Sequence, residues 1–278
     1  MKFVNPKNDV AFKKIFGSAD KTNILISFLN AVLGLTGDKE IREVELLNPY
    51  QTPRLASFKN TILDIKAIDQ RNITYIIEMQ IAHVLGVKKR FTYYTTKAYA
   101  SQIERGEDYP KLNQVIFIGV LDFTLFESNG SYLTRHQMME VETCEQTFAD
   151  VEMTFIELPK FHKGADEVSS PLEKWVYFIK HAEDLEVVPA HVAEPALEDA
   201  YHTAEQFAWS KEDLEVYEYR GIRIQDQRGA LDLAREEGWM EGEHNKALDT
   251  ARKMKADGLD PELIAKYTDL SLAEIERL

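Results

Sequence analysis

The sequence has a single cysteine, Cys144, so it forms no internal disulfide. It has no group of Cys and His residues with the spacing of a zinc site. No apolar run approaches the roughly 20 residues that a membrane-spanning helix needs, and the N-terminus lacks the apolar stretch of a signal peptide. These absences exclude a disulfide-stabilised secreted scaffold and a zinc module, and we expect a cytoplasmic protein without membrane contact.

Sequence motifs of several enzyme classes are also missing. The chain contains no glycine-rich phosphate-binding loop, no Gly-x-Ser-x-Gly nucleophile elbow and no His-Glu-x-x-His zinc motif. Its 278 residues are nevertheless enough for one large domain or two small ones with a packed core. Any catalytic chemistry must therefore come from another arrangement of side chains.

Positive charge is scarce overall, and its distribution is uneven. The net charge is −14, yet residues 1–127 hold 17 Lys and Arg against 14 Asp and Glu. Residues 128–278 hold 16 Lys and Arg against 33 Asp and Glu. The mildly basic first part suits phosphate binding, whereas the acidic second part is a poor surface for it. A simple acidic, solvated C-terminal region is the alternative interpretation.

Two short apolar segments, residues 62–68 and 73–80, are separated by the polar stretch 69–72. Short apolar segments rich in Ile, Thr and Tyr are typical of β-strands, and a short polar connection between them indicates a hairpin. The sequence therefore predicts two adjacent antiparallel strands in this region.

The register of this hairpin brings two acidic residues together. With the turn centred near Arg71, Asp64 and Glu78 each lie seven residues from the centre and face each other, while Glu78 and Gln80 share one face. Like charges placed opposite each other in an apolar sheet are destabilising unless a cation compensates them. Oxygen ligands favour a hard ion, so the pair predicts a Mg²⁺ or Mn²⁺ site.

The spacing Asp64-x(13)-Glu78-x-Gln80 resembles the core of the PD-(D/E)XK nuclease superfamily. Two departures are Leu63 in place of Pro and Gln80 in place of the usual Lys. Three further patterns resemble the branch of recombination-promoting nucleases (Rpn) and putative transposases: Asn8-Asp9-x-x-Phe12-Lys13-Lys14-Ile15-Phe16-Gly17, Arg90-x-x-Tyr93-Tyr94 and Gln102-x-x-x-Gly106-x-x-Tyr109.

This resemblance implies a DNA endonuclease that hydrolyses phosphodiester bonds with Mg²⁺ or Mn²⁺, linked to recombination, transposition or defence against mobile elements. Asp64, Glu78 and the carbonyl of Met79 would hold the metal, with Asp9 as a candidate third carboxylate. Gln80 would orient water or phosphate. The alternative is a catalytically silent nucleic-acid-binding or regulatory protein that lost turnover with the motif lysine.

Two candidate site residues have competing interpretations. Lys66 lies two residues after Asp64 and should point to the same side of the sheet, where it returns a positive charge to the site. A solvated lysine at a strand end is the alternative. Asp9 is either the accessory acid that the resemblance implies or simply the N-cap of the first helix.

A helical pattern from Val87 to Arg105 follows the hairpin and brings Arg90, Tyr94 and Lys97 within one another's reach. We expect this face to contact a DNA backbone. The alternative is an amphipathic helix whose tyrosine packs and whose basic residues are solvated.

The remaining patterns complete the predicted fold. Residues 40–48, 132–142 and 150–158 read as strands, and the continuous apolar run 113–121 reads as a central strand. With the resemblance, they predict an α/β, PD-(D/E)XK restriction-endonuclease-like core of order αβββαβ with a mixed sheet in residues 1–165.

Residues 166–278 are almost wholly helical in pattern, including a charged stretch from Lys211 to Gly238. Two short terminal helices around Asp269 suggest a helix-turn-helix, but the second offers only Arg277 to DNA, so packing or oligomerisation is favoured. We expect this region to govern assembly and regulation, with a homodimer formed through the C-terminal helices.

Overall fold

The computed structural model describes residues 2–51 and 61–278, without the side chains of Gln51 and Thr61. The strands are β1 (Val44–Leu47), β2 (Tyr50–Gln51), β3 (Thr61–Ile62), β4 (Ile65–Asp69), β5 (Thr74–Gln80), β6 (Val115–Leu121), β7 (Leu133–Gln137) and β8 (Val151–Glu157). The helices are α1 (Asp9–Phe16), α2 (Thr22–Leu33), α3 (Val87–Ala100), α4 (Pro171–His181), α5 (Pro195–Ala204), α6 (Lys211–Ala256), α7 (Pro261–Thr268) and α8 (Leu272–Glu276).

Six strands form one mixed sheet in the order β1-β4-β5-β6-β8-β7. The pairs β1·β4, β4·β5 and β7·β8 are antiparallel, whereas β5·β6 and β6·β8 are parallel. Parallel neighbours need a long crossover, and α3 supplies it between β5 and β6. The predicted α/β PD-(D/E)XK-like fold with a mixed sheet is confirmed.

The sheet separates two apolar cores because side chains alternate along each strand. On one face, Tyr75, Ile77 and Met79 of β5 pack with α1, α2, α4 and α5. On the other face, Ile76 packs with Phe91 of α3. Glu78 and Gln80 share the face of Ile76 by the same alternation, so they lie on the side of the sheet that carries α3.

The strand predicted at residues 62–68 is interrupted. The chain leaves the strand conformation at Leu63 and Asp64, between β3 and β4. The backbone N–H of Asp64 donates to a side-chain oxygen of Glu78 instead of a strand carbonyl. A polar side chain therefore takes a bond that a regular ladder would use.

The long helix α6 runs well beyond the end predicted at Gly238. A glycine within a helix costs about 1 kcal/mol relative to alanine, which weakens a helix without ending it. In contrast, α3 ends at Ala100 and not at Arg105. Helix ends depend on capping and packing that the sequence pattern alone does not resolve.

The chain divides into two compact units, one up to Gly221 and one of Ile222–Leu278. The first unit includes helices beyond residue 165, since Trp175 of α4 and Tyr201 of α5 are buried in the same core as β5. The division of labour between a nuclease-like region of residues 1–165 and a region of residues 166–278 that governs assembly and regulation stays a prediction.

The C-terminal unit has a small core of its own, formed by Ala251, Ile264, Leu270 and Ile275. Ile264 and Ile275 are therefore used for packing within the unit. None of the described helices is long and apolar enough to cross a membrane.

Candidate active site

Asp64 and Glu78 meet where β4 begins and β5 ends. The ladder pairs Ile65 with Ile77, and its continuation places Asp64 opposite Glu78 as the hairpin register predicts. The N–H of Asp64 donates to Oε1 of Glu78 at 2.9 Å, and the N–H of Met79 donates to Oδ2 of Asp64 at 2.9 Å. Each carboxylate thus binds the backbone at or next to the other residue, which fixes both side chains.

Burial makes the negative charge of this pair costly. Burial and, to a smaller extent, the neighbouring Asp64 charge together raise the pKa of Glu78 to about 8, against smaller opposing effects of the Asp64 N–H, Arg90 and Lys13. Burial also raises the pKa of Asp64, although Lys13 and the Met79 N–H oppose the shift. The two carboxylates are therefore short of positive charge.

Among the residues that the structure describes, Lys13 is the cation that pairs with Asp64, and the sequence did not single it out. Its Nζ lies 3.1 Å from Oδ1 of Asp64. Lys13 is on α1, whose apolar face is buried through Phe12 and Phe16. The available signal was its place in the Phe-Lys-Lys pattern four residues after Asp9, which puts the two side chains on one side of the helix.

Gln80 occupies the position of the missing lysine and is held by two bonds. Its Nε2 donates to the carbonyl of Ala82 at 3.1 Å, and its Oε1 accepts from the guanidinium of Arg90. Arg90 thereby brings a positive charge beside the neutral amide. Its Nε is buried and has no hydrogen-bond partner among the residues that the structure describes.

Arg90 thus lies within the candidate site, where its guanidinium donates to the side chain of Gln80. Its role in DNA binding stays a prediction. Tyr94 is half-buried, with the Arg90 guanidinium 6.0 Å from its ring centroid. Burial raises the pKa of Tyr94, and the charge of Glu78 adds to this effect. Lys97 Nζ lies 5.7 Å from the ring centroid of Tyr93, one turn further along α3.

Lys66 is half-buried on β4, and this burial lowers its pKa. Among the described residues, Lys13 and Arg90 are the cations that lower the pKa of Asp64 or Glu78. Lys66 forms no ion pair in the part of the chain that the structure describes. Its predicted role as the replacement cation stays a prediction, and Lys13 is better placed for that role.

Asp9 is not the N-cap of α1, so that interpretation is wrong. Asn8 is the cap, and its Oδ1 accepts from the Val10 N–H at 2.9 Å, while Asp9 is the first helical residue. Asp9 faces Arg220 at 3.8 Å, and its charge contributes to the raised pKa of Asp64. Asp9 is therefore near the pair, and its role as a third ligand stays a prediction.

The donor set fits a hard divalent cation. Asp64 and Glu78 supply carboxylate oxygens whose ionised forms need a positive charge, and the Met79 carbonyl belongs to the same strand end. Within residues 2–51 and 61–278, no group of three His, Cys, Asp or Glu side chains gathers as a metal site. Two carboxylates suffice for Mg²⁺, which keeps several waters and binds substrate phosphates.

Comparison with known proteins gives one family. The sequence model of the family described as PD-(D/E)XK nuclease family transposase matches residues 6–234. This range includes α1, the hairpin and α3, and hence every residue of the candidate site. No curated protein and no solved structure matches the chain.

Proposed function

This chain belongs to the PD-(D/E)XK nuclease family transposases, and we propose that it is a Mg²⁺- or Mn²⁺-dependent endonuclease that hydrolyses phosphodiester bonds in DNA. The family supports nuclease chemistry in general. The observation that carries the specific proposal is the buried, mutually bonded pair of Asp64 and Glu78, whose raised pKa values call for a cation.

Asp64, Glu78 and the Met79 carbonyl would hold the metal, which supplies Lewis-acid polarisation of the phosphate and a more acidic water. The protein's own residues orient the reactants. Gln80, fixed by Arg90 and the Ala82 carbonyl, presents an amide that positions water or a phosphate oxygen. Arg90 adds positive charge where negative charge develops on the phosphate.

The helix α3 is the proposed DNA-binding surface. It carries Lys88, Lys89, Arg90 and Lys97 and no acidic residue, in a chain that is acidic overall. The helix begins seven residues after the end of β5, and Arg90 in its first turn contacts Gln80 of the candidate site. Lys and Arg that neutralise phosphates release counterions, which gives binding its affinity and its dependence on salt.

The decisive test is a cleavage assay on supercoiled, linear and single-stranded DNA with Mg²⁺, Mn²⁺ and Ca²⁺. We expect metal-dependent cleavage by the wild-type protein and none by Glu78→Gln. The melting temperature should rise with Mg²⁺ in the wild type and not in Glu78→Gln, because a ligand that binds the folded state stabilises it. Cleavage that persists in purified Glu78→Gln would disprove the site.

The neutral Gln80 favours a second candidate, a catalytically silent protein that binds nucleic acid through the same fold. That protein would show the Mg²⁺-dependent rise in melting temperature and would bind DNA, but no DNA form would be cut. The cleavage assay and the melting curves together therefore separate the two functions.

We also propose a homodimer formed through the C-terminal unit. Trp239 and Met240 are 65% and 53% exposed, and Leu263 and Leu272 of the terminal helices are 41% and 47% exposed. Large exposed apolar side chains of this kind support an interface. Light scattering of the wild type and of Trp239→Glu tests it, since the charge should lower the mass to that of a monomer.

A further inference from the structure

We infer that Lys13 of α1 is the catalytic cation of this site and takes the place of the lysine that Gln80 replaces. The inference rests on the proposed nuclease function and adds a residue to it. The observation that carries it is the position of the Lys13 ammonium, whose Nζ lies 3.1 Å from Oδ1 of Asp64.

The charges at the site divide between two elements. Lys13 on α1 contacts Asp64 at 3.1 Å, and Arg90 on α3 contacts Gln80, which lies two residues after Glu78. Both cations lower the pKa of Glu78, and Lys13 is the strongest influence that opposes the raised pKa of Asp64. Lys13 therefore compensates the charge of Asp64, for which Arg90 is not among the main influences.

The backbone of α1 is fixed at both ends, so the position of Lys13 is determined. Asn8 caps the start of the helix, and Gly17 follows its end. A Cβ at Gly17 would lie 2.7 Å from the Lys13 carbonyl oxygen and 3.5 Å from Cγ1 of Ile65, so glycine allows the helix to end against β4. Phe12 and Phe16 anchor the intervening turn in the core.

The side chain of Lys13 is more accessible to solvent than the carboxylate that it contacts. It is 41% exposed, whereas the side chain of Asp64 is 14% exposed. Gln80 cannot provide this charge, because an amide is neutral at every pH.

In hydrolysis, the oxygen of one water forms a bond to phosphorus, and the bond from phosphorus to the leaving sugar oxygen breaks. The electron pair of the broken bond stays on the sugar oxygen, which takes a proton, while the attacking water loses a proton to solvent. The products are a phosphate monoester and a hydroxyl. Lys13 stabilises the negative charge that grows on the phosphate oxygens and donates no proton of its own.

Lys14 provides a matched control on the same helix. Its Nζ pairs with Asp213 and lies 4.5 Å from the Trp209 ring centroid, away from the carboxylates. We expect Lys13→Met to lower kcat roughly a hundredfold, as loss of one charge-stabilising donor does, with KM for DNA changed less than about threefold. Lys14→Met should keep kcat. A kcat for Lys13→Met within threefold of the wild type overturns the inference.

A second variant tests whether Lys13 acts through its charge or only by packing. It places a lysine at position 80 of β5 in the protein that lacks Lys13. The double variant Lys13→Met with Gln80→Lys should regain at least tenfold in kcat over Lys13→Met, because a lysine then stands where the motif has one. Failure of this rescue would mean that Lys13 acts by holding α1 in place, and the inference would be wrong.

Magnesium binding gives a readout that needs no cleavage. Because Lys13 repels a cation at Asp64, Lys13→Met should reach half of its Mg²⁺-induced melting shift at a roughly tenfold lower Mg²⁺ concentration than Lys14→Met. An unchanged concentration overturns the inference. If the wild type cuts no DNA under any condition, the proposed function fails, while this measurement still decides whether Lys13 is the cation of the site.

Discussion

Two glutamates of this chain, Glu173 at the start of α4 and Glu78 at the end of β5, differ in how many donors compensate their charge and in the direction of their pKa shifts. Glu173 accepts bonds from Lys163 Nζ at 2.6 Å, from the Ser169 N–H at 2.9 Å and hydroxyl at 3.2 Å, and from the Ser170 N–H at 3.2 Å. The Lys163 bond is the main cause that lowers its pKa to about 2. Glu78 accepts one backbone bond, and burial raises its pKa to about 8.

Burial does not by itself leave a carboxylate without donors, as the buried Glu157 shows. Its carboxylate accepts the N–H groups of Leu125 at 2.5 Å and Phe126 at 3.0 Å and pairs with Lys160 at 2.7 Å. The protein therefore supplies donors to a buried carboxylate where the role is structural. At Asp64 and Glu78 it leaves the charge undercompensated, which is the condition that a metal ion relieves.

The largest expected effect is on catalysis. Asp64→Ala and Glu78→Ala should each reduce metal-dependent DNA cleavage by about a thousandfold or more, since either change removes a ligand of the proposed metal. Circular dichroism should show a folded protein in both cases. Full activity in either purified variant would show that the changed residue is not a ligand of the catalytic metal.

The second effect is on stability, and it differs between two buried glutamates. Glu157→Gln should lower the free energy of unfolding by roughly 3–5 kcal/mol, because it removes the only carboxylate that pairs with Lys160 among the described residues and leaves the buried ammonium with carbonyl acceptors alone. Glu78→Gln should leave the metal-free protein as stable or make it more stable, because it removes repulsion with Asp64. Urea denaturation of both variants measures this contrast, and equal losses would contradict it.

A third, smaller effect concerns the cations. Lys66→Ala should reduce kcat about tenfold and DNA affinity less, if this half-buried lysine supplies charge to the site. Gln80→Lys alone should keep or raise activity. An unchanged rate for Lys66→Ala would support the alternative of a solvated strand-end lysine and leave the catalytic charge to Lys13 and Arg90.

A further effect is the pH dependence of stability, with opposite signs for the two glutamates. In chelator-treated protein between pH 4.5 and about 8, folded Glu78 keeps a proton that the unfolded chain releases, so its contribution is lost as pH rises through this window. Glu173, with its lowered pKa, contributes fully above pH 4.5 and loses its contribution as pH falls toward about 2.

The measurement compares the free energy of unfolding of the wild type with that of Glu78→Gln and Glu173→Gln across these windows. The advantage of Glu78→Gln should grow as pH rises, and the deficit of Glu173→Gln, about 1 kcal/mol or less at a partly exposed ion pair, should shrink as pH falls. If the stability deficit of Glu173→Gln stayed constant down to pH 2, the lowered pKa of Glu173 would be wrong.

The sequence predicted the relation of Asp64 to Glu78 because it depends on local rules. A hairpin centred near Arg71 fixes the pairing, and alternation with a period of two fixes the face. The contact of Lys13 with Asp64 joins a helix to a strand far along the chain, so no local pattern reveals it. The sequence also could not decide between Asn8 and Asp9 as the N-cap of α1, because both residue types cap helices well.

The reciprocal bonds between the two carboxylates and the backbone have a spectroscopic consequence. The amide protons of Asp64 and Met79 each point at one oxygen of the pair, so their nuclear magnetic resonance frequencies follow the charge on that oxygen. Protonation, a bound cation or a phosphate that draws Lys13 away would each shift these two signals. The backbone of the hairpin thus carries its own pair of reporters on the state of the site, without any label attached to the side chains.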